Sequence, residues 1–258
     1  MRILDCSTVE TTIESLSTLL KTDRETLNSF VENNAHRITY KNKFLEYKNL
    51  CIEDVVNYFN IREEEMIPDK IMVFHLTSAV DDCSFFNYGL LNLESVITEG
   101  VMNDFFASSN VEILYKEGAT PIIKYKDKEF KDEMLAHRFS VDNCINGFLI
   151  KEGAENHEYV QHIRTCPEFI CDMSRLAGIP NLQEEWERRA KPMMLSILVN
   201  YNDIIALKPL EYVLYALDFL VLKKASYWSE DQNYMIHLNE VVCISPENIA
   251  KVEELKSL

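Results

Sequence analysis

Apolar positions recur at helical spacing through the first 66 residues or so. Thr8 to Leu20 places Val9, Ile13, Leu16, Leu19 and Leu20 on one face, with serines and threonines outside it. Thr22 or Asp23 can cap a second helix that turns Leu27, Phe30 and Val31 inward. Ile52 to Phe59 predicts a third helix on Val55, Val56 and Phe59, and the acidic run Arg62-Glu63-Glu64-Glu65 then leads out to Pro68.

From Ile71 the pattern changes to strands mixed with helices. Ile71 to Leu76 opens on a continuous apolar run, Ile71-Met72-Val73-Phe74, which predicts a buried strand. Leu91 to Ile97 and Val101 to Phe106 predict helices broken at Gly100, and Glu112 to Tyr115 with Pro121 to Tyr125 predicts a hairpin around Glu117-Gly118. Glu129 to Phe139 reads as helical and Asn146 to Ile150 as a short strand. Glu155 to Ile163, Pro167 to Leu176 and Leu182 to Arg189 follow as helices, with Pro167 in a first turn and Gly178 as a stop. Met193 to Val199 is a second buried strand, and Pro209 to Lys224 is a long helix apolar on nearly every side, which places it centrally. Tyr234 to Leu238 and Val241 to Ile244 read as strands, and Ser245-Pro246-Glu247 as the cap and first turn of a final helix. The expected fold is α+β: a helical N-terminal segment over 1–68 and a mixed-sheet α+β body over 69–258.

Composition narrows the functional classes. The formal net charge of the 258 residues is −16, which opposes general binding of nucleic acid or of an anionic membrane surface. A helix-turn-helix reading of the first two helices fails on the same ground, because the second carries Asp23, Glu25 and Glu32 against Arg24. Seven scattered cysteines match reduced thiols, not a disulfide framework. No apolar run is long enough for a signal peptide or a membrane helix, and a cytoplasmic protein is the expectation.

Candidate chemistry concentrates where the first strand ends. His75 and Thr77 fall on one side of that strand, Ser78, Asp81 and Asp82 follow, and an aromatic cluster of Phe85, Phe86 and Tyr88 leads into Gly89. A histidine and a hydroxyl so placed can hold a ribose or an amide, and an aromatic ring can stack on a planar ligand. His157, His162, Cys166 and Cys171 are ligand types that suit zinc, but without the short spacings of common zinc sites. They read instead as two buried cysteines and two surface histidines, and no metal is assigned. Asp81 and Asp82, being adjacent, point to different sides of an extended chain, and Glu184 to Arg189 reads as a solvated helix face. Cys83 lies near His75 in sequence but has no evident activating base.

The stretch Phe74-His75-Leu76-Thr77, followed by a loop, Gly89-Leu90 and a helix, resembles the Tyr/Phe-His-x-Thr strand of ADP-ribosyltransferases of the diphtheria-toxin, poly(ADP-ribose) polymerase and RNA 2′-phosphotransferase type. The ending, from Tyr234 to Leu238 on through Val242-Cys243-Ile244-Ser245-Pro246-Glu247-Asn248-Ile249, is also similar. The resemblance spans roughly residues 70 to 250 on few positions. It implies NAD as cofactor, His75 and Thr77 at the ribose and nicotinamide end, Tyr88 stacking on nicotinamide, and Arg138 steadying a phosphate. That family places a glutamate at the start of the late strand, where this chain has Gln232 or Asn233; Glu230 is then the candidate catalytic residue. Two functions follow as expectations. One is an NAD-binding, ADP-ribosyltransferase-like toxin or defence effector. The other is a non-catalytic acidic interaction or inhibitor protein with a basic protein partner.

Overall fold

The computed structural model describes residues 1–41, 44–116, 119–140, 143–205 and 209–256. It is α+β. In chain order, β1 (Ile3–Leu4), α1 (Val9–Leu19), α2 (Arg24–Asn34), β2 (Ile38–Lys41), β3 (Phe44–Tyr47), α3 (Ile52–Phe59) and α4 (Glu63–Met66) lead to β4 (Lys70–Ala79). Next come α5 (Ser84–Tyr88), α6 (Leu93–Thr98), α7 (Asn103–Ser108), β5 (Val111–Leu114), β6 (Ile122–Tyr125), β7 (Lys128–Phe130), α8 (Glu133–Ser140) and β8 (Asn146–Phe148). The chain continues with α9 (Glu168–Leu176), α10 (Leu182–Arg189), β9 (Lys191–Asn200), α11 (Pro209–Lys224), β10 (Met235–His237) and β11 (Ile249–Glu254). The largest sheet has the strand order β10-β8-β4-β9-β11, with β1 also paired to β4.

The chain divides into two compact units, each assembled from three segments. The first comprises Met1–Phe74, Gly147–His157 and Leu198–Ile236; the second comprises His75–Asn146, Glu158–Ile197 and His237–Leu258. Residue 68 is not a boundary between them, because helices α1 to α3 belong with α11.

In the first unit, Thr8 caps α1 by accepting from the Thr11 N–H while the Thr11 hydroxyl accepts from the Thr8 N–H. Asp23 caps α2 through the Thr26 N–H at 2.7 Å. The buried faces, with Leu16 and Leu19 on α1 and Leu27 and Phe30 on α2, pack on the nearly all-apolar α11. Strand β1 runs parallel to the start of β4, and β8 lies antiparallel to it with Phe148 opposite Phe74. That approach requires a glycine: a Cβ on Gly147 would sit 2.5 Å from Val73 Cγ1 and 2.9 Å from the Phe74 carbonyl oxygen. Asn233 clamps the chain after β8 in both directions. Its amide nitrogen donates to the Ile150 carbonyl at 2.7 Å, and its amide oxygen accepts the Ile150 N–H at 3.1 Å.

In the second unit, β5, β6 and β7 form an antiparallel sheet. Its core joins Phe105, Phe106, Ile123, Leu135, Ile170 and Trp186. Strand β11 pairs antiparallel with β9, from Ile249 opposite Ile197 to Glu254 opposite Met193.

The structure departs from the sequence reading in several places. The N-terminal segment is not purely helical, since β1 and the β2–β3 pair interrupt it. The turn expected at Glu117-Gly118 lies outside the described residues, although β5 and β6 pair as expected. The expected helix from Glu129 starts only at Glu133, because Lys128–Phe130 pairs with β6 as β7. Between Ala154 and Arg164 there are short 3₁₀ turns in place of one helix. Val241 to Ile244 forms no strand, only an isolated bridge from Ile244 to Leu90. The expected final helix is a single 3₁₀ turn, Pro246–Asn248, and the chain then extends into β11. Proline and the Ser245 position start a turn correctly. β-branched Ile249 and Val252 then gain more from pairing beside β9 than from continuing a helix.

Candidate functional site

A cavity of about 400 Å³ opens in the second unit at the end of β4. Alternation along the strand sets its floor. His75, Thr77 and Ala79, two residues apart, are half-buried, and all three line the cavity. The chain then turns at Asp81, whose carboxylate accepts the Cys83 N–H at 2.9 Å and whose carbonyl accepts the Ser84 hydroxyl at 2.7 Å. This turn starts α5, which brings Phe85 and Tyr88 to the cavity. Phe86, on the same short helix, is 63% exposed and does not line it.

Gly89 closes α5 with φ +79°, the left-handed region. A Cβ there would lie 2.0 Å from the Ile244 carbonyl oxygen. The next residue explains the crowding: Leu90 and Ile244 exchange two backbone hydrogen bonds, each 2.8 Å long. This bridge fixes the wall of the cavity that carries Tyr88, Gly89 and Leu90.

The opposite walls are largely apolar. Phe105 and Met102 come from the α7 region, Phe169 and Ile170 from α9, and Trp186 from α10. Trp186 donates its indole N–H to Ser78 Oγ at 3.0 Å. Arg189, one turn on from Trp186, lies over the Phe105 ring at 5.3 Å and donates to Ser108 Oγ at 2.8 Å. Among the described residues, Arg189 is the cationic side chain lining the cavity, and Asp81 and Asp104 are the lining carboxylates.

His75 Nδ1 lies 2.5 Å from the Asn146 carbonyl oxygen. A carbonyl only accepts, so Nδ1 carries the proton and Nε2 is left as an acceptor. Burial pulls the imidazole below its ordinary pKa, with the Asn146 carbonyl opposing that shift in part. The ring is therefore neutral at pH 7, a hydrogen-bond acceptor on the strand face that also carries Thr77.

Three of the sequence-predicted residues, His75, Thr77 and Tyr88, line this one cavity, and the other two do not. Arg138 donates to Asp172 at 3.1 Å and pairs with Glu168, both on α9. Glu230 belongs to the first unit, where its Cβ would be 3.1 Å from a Cβ built on Gly153. None of residues 230–234 lines the cavity. Gln232 accepts the Ser229 N–H at 3.0 Å, and Asn233 is spent on Ile150. Trp186 and Arg189 were missed in the sequence. Their signal was the three-residue spacing that places both on one face of α10, hidden among surrounding charges.

The other candidates separate. His157 packs on the Phe148 ring, with centroids 4.8 Å apart, while His162 lies 3.6 Å from the Glu168 carboxylate. Among the described residues, Asp81, Asp82 and Cys83 have ligand atoms within 4.8 Å of one another, and all three are exposed. The same two carboxylates push the Cys83 thiol up, away from the thiolate a nucleophile needs. Burial and the neighbouring Cys171 likewise raise Cys166.

No protein-family model, curated protein or solved structure matches this chain. No helix among the described residues is long and apolar enough to cross a membrane.

Proposed function

We propose that the chain binds a nucleotide of the NAD type in the cavity at the end of β4. One observation carries the reading: a neutral His75, its Nδ1–H held by Asn146, offers Nε2 beside Thr77 in an aromatic-walled cavity of about 400 Å³. Such an acceptor and hydroxyl suit the hydroxyls of a ribose, and Tyr88 and Phe85 suit the face of a planar ring. Arg189, not Arg138, is the residue to meet a phosphate, because Arg138 is engaged by two carboxylates.

The proposal is binding, and it assigns no transfer of ADP-ribose to Glu230. Transfer needs a carboxylate at the ribose, and Glu230 is not at the cavity. Asp81 and Asp104 line it, and a carboxylate role in any chemistry there falls to them.

The test is calorimetric titration of NAD into the purified chain and into His75→Ala and Arg189→Ala. Saturable heat that is lost in both variants supports the reading. A folded wild-type chain with no heat overturns it and favours the second reading, an acidic interaction protein with a basic partner. That reading rests on the net charge of −16.

A further inference from the structure

Cys144, Asn146 and His237 form a polar cluster within the second unit, and none of them lines the cavity at β4. The backbone brings them together. Burial alternates from Asn143 to Gly147, which puts Cys144 and Asn146 on the more open side. β10 is the neighbour of β8 in the large sheet, and the Leu238 N–H donates to the Ile145 carbonyl at 2.9 Å. That bond sets Asn146 and His237 across from each other, where side chains of neighbouring strands meet. His237 is exposed and lies between the buried Ile236 and Leu238, so it too takes the open side.

The side chains converge on one atom. Asn146 Oδ1 accepts from the Cys144 thiol at 3.2 Å and from His237 Nδ1 at 2.7 Å. A thiolate, an imidazole nitrogen and an amide carbonyl are all metal donors, and the first two together suit a borderline ion such as Zn²⁺. The spacing agrees. Around a tetrahedral Zn²⁺ with bonds of about 2.0–2.3 Å, neighbouring ligand atoms stand about 3.4–3.6 Å apart. The two observed separations fall short of that by less than about 1 Å, so an ion needs only a small spreading of side chains. The protons can be placed as well. His237 can carry its proton on Nε2 and turn Nδ1 to the ion, while the Cys144 thiol gives its proton to solvent.

From the convergence of Cys144, Asn146 and His237 on one point, we infer that this part of the sheet binds a zinc-class divalent ion. The thiolate and the imidazole are its strong ligands, and the Asn146 carbonyl is the third. Among the described residues these three donors leave a tetrahedral ion one position for water. The inference does not rest on nucleotide binding. Asn146 serves the two places with different groups, its backbone carbonyl holding His75 and its side chain facing the ion.

The probes are Co²⁺ and Zn²⁺, each added alone to the purified, reduced chain. Co²⁺ is expected to give a saturable thiolate-to-metal absorption band in the near ultraviolet, and Zn²⁺ to displace it. Cys144→Ser is expected to abolish the band, and His237→Ala to weaken the ion by about tenfold or more. The wild-type chain supplies a second readout. Zn²⁺ is expected to protect Cys144 from alkylation, followed peptide by peptide by mass spectrometry, while the exposed Cys243 stays reactive. An absent band, a band that persists in Cys144→Ser, or equal alkylation of Cys144 with and without Zn²⁺ overturns the inference. The alkylation comparison needs no variant, so a misfolded substitution does not shelter it.

Discussion

Trp186 and Ser78, 108 residues apart in the chain, meet through an indole-to-hydroxyl hydrogen bond of 3.0 Å. They are 3% and 6% exposed, so neither group has water as a substitute partner. Ser78→Ala is expected to strand the indole N–H and lower stability by about 1–3 kcal/mol. Urea unfolding at neutral pH measures this. A loss below about 0.5 kcal/mol would mean that the indole finds another acceptor on relaxation.

His75 predicts a pH dependence of known sign. Its folded pKa lies below the ordinary 6.5, so between the two values the unfolded chain holds more protons than the folded one. Its contribution is therefore fully present above pH 6.5 and lost as pH falls through the folded value. Urea midpoints across this range should rise with pH, and His75→Gln should flatten the rise. NAD binding should weaken over the same range, because a protonated Nε2 no longer accepts. Parallel slopes for the two chains would remove His75 as the source.

Asn233 holds both backbone groups of Ile150. Asn233→Asp keeps the acceptor but loses the donor and buries a charge, and is expected to cost about 1–3 kcal/mol or more. Asn233→Glu would supply the side chain that the ADP-ribosyltransferase resemblance looks for near this point. Here it is expected to lower the thermal midpoint and to install no cleavage of NAD. A stable variant that releases nicotinamide would reverse that expectation.

Gly89 is a fourth position where a single substitution is informative. Alanine there has to leave φ +79° or push the Ile244 carbonyl aside, and either breaks the Leu90–Ile244 bridge. The expected cost is about 2 kcal/mol or more. Amide exchange of Leu90 and Ile244 should accelerate together, and ligand affinity at the Tyr88 wall should fall with it. Unchanged exchange at both amides would show that the bridge survives.

The chain's own pattern was enough for some of this. The limits of α3 and α11 follow directly from apolar spacing and from proline and lysine at the ends of α11. His75, Thr77 and Tyr88 could be grouped because two are strand neighbours on one face and the third follows a short turn. Trp186 and Arg189 could not, because the charges around them read as a solvated surface and only the placement of α10 turns that face to the cavity. Arg138 had the right charge, but its partners Glu168 and Asp172 lie on α9, with Asp172 34 residues further along, well beyond the window of about 11–18 residues in which a helix is read. β11 was lost to a helix start signal because the gain that overrides it, pairing with β9, is not local.

The alternation of segments between the two units has a consequence for how the protein is made. The first unit lacks its last piece until the ribosome has reached residue 236, and the second until it has passed β11 at Glu254. Folding one domain after another as each emerges, the usual route for a growing chain, is closed to it. The earlier segments of each unit have to wait, partly formed, for the late segment that completes it, and this is the interval in which a chaperone would matter most.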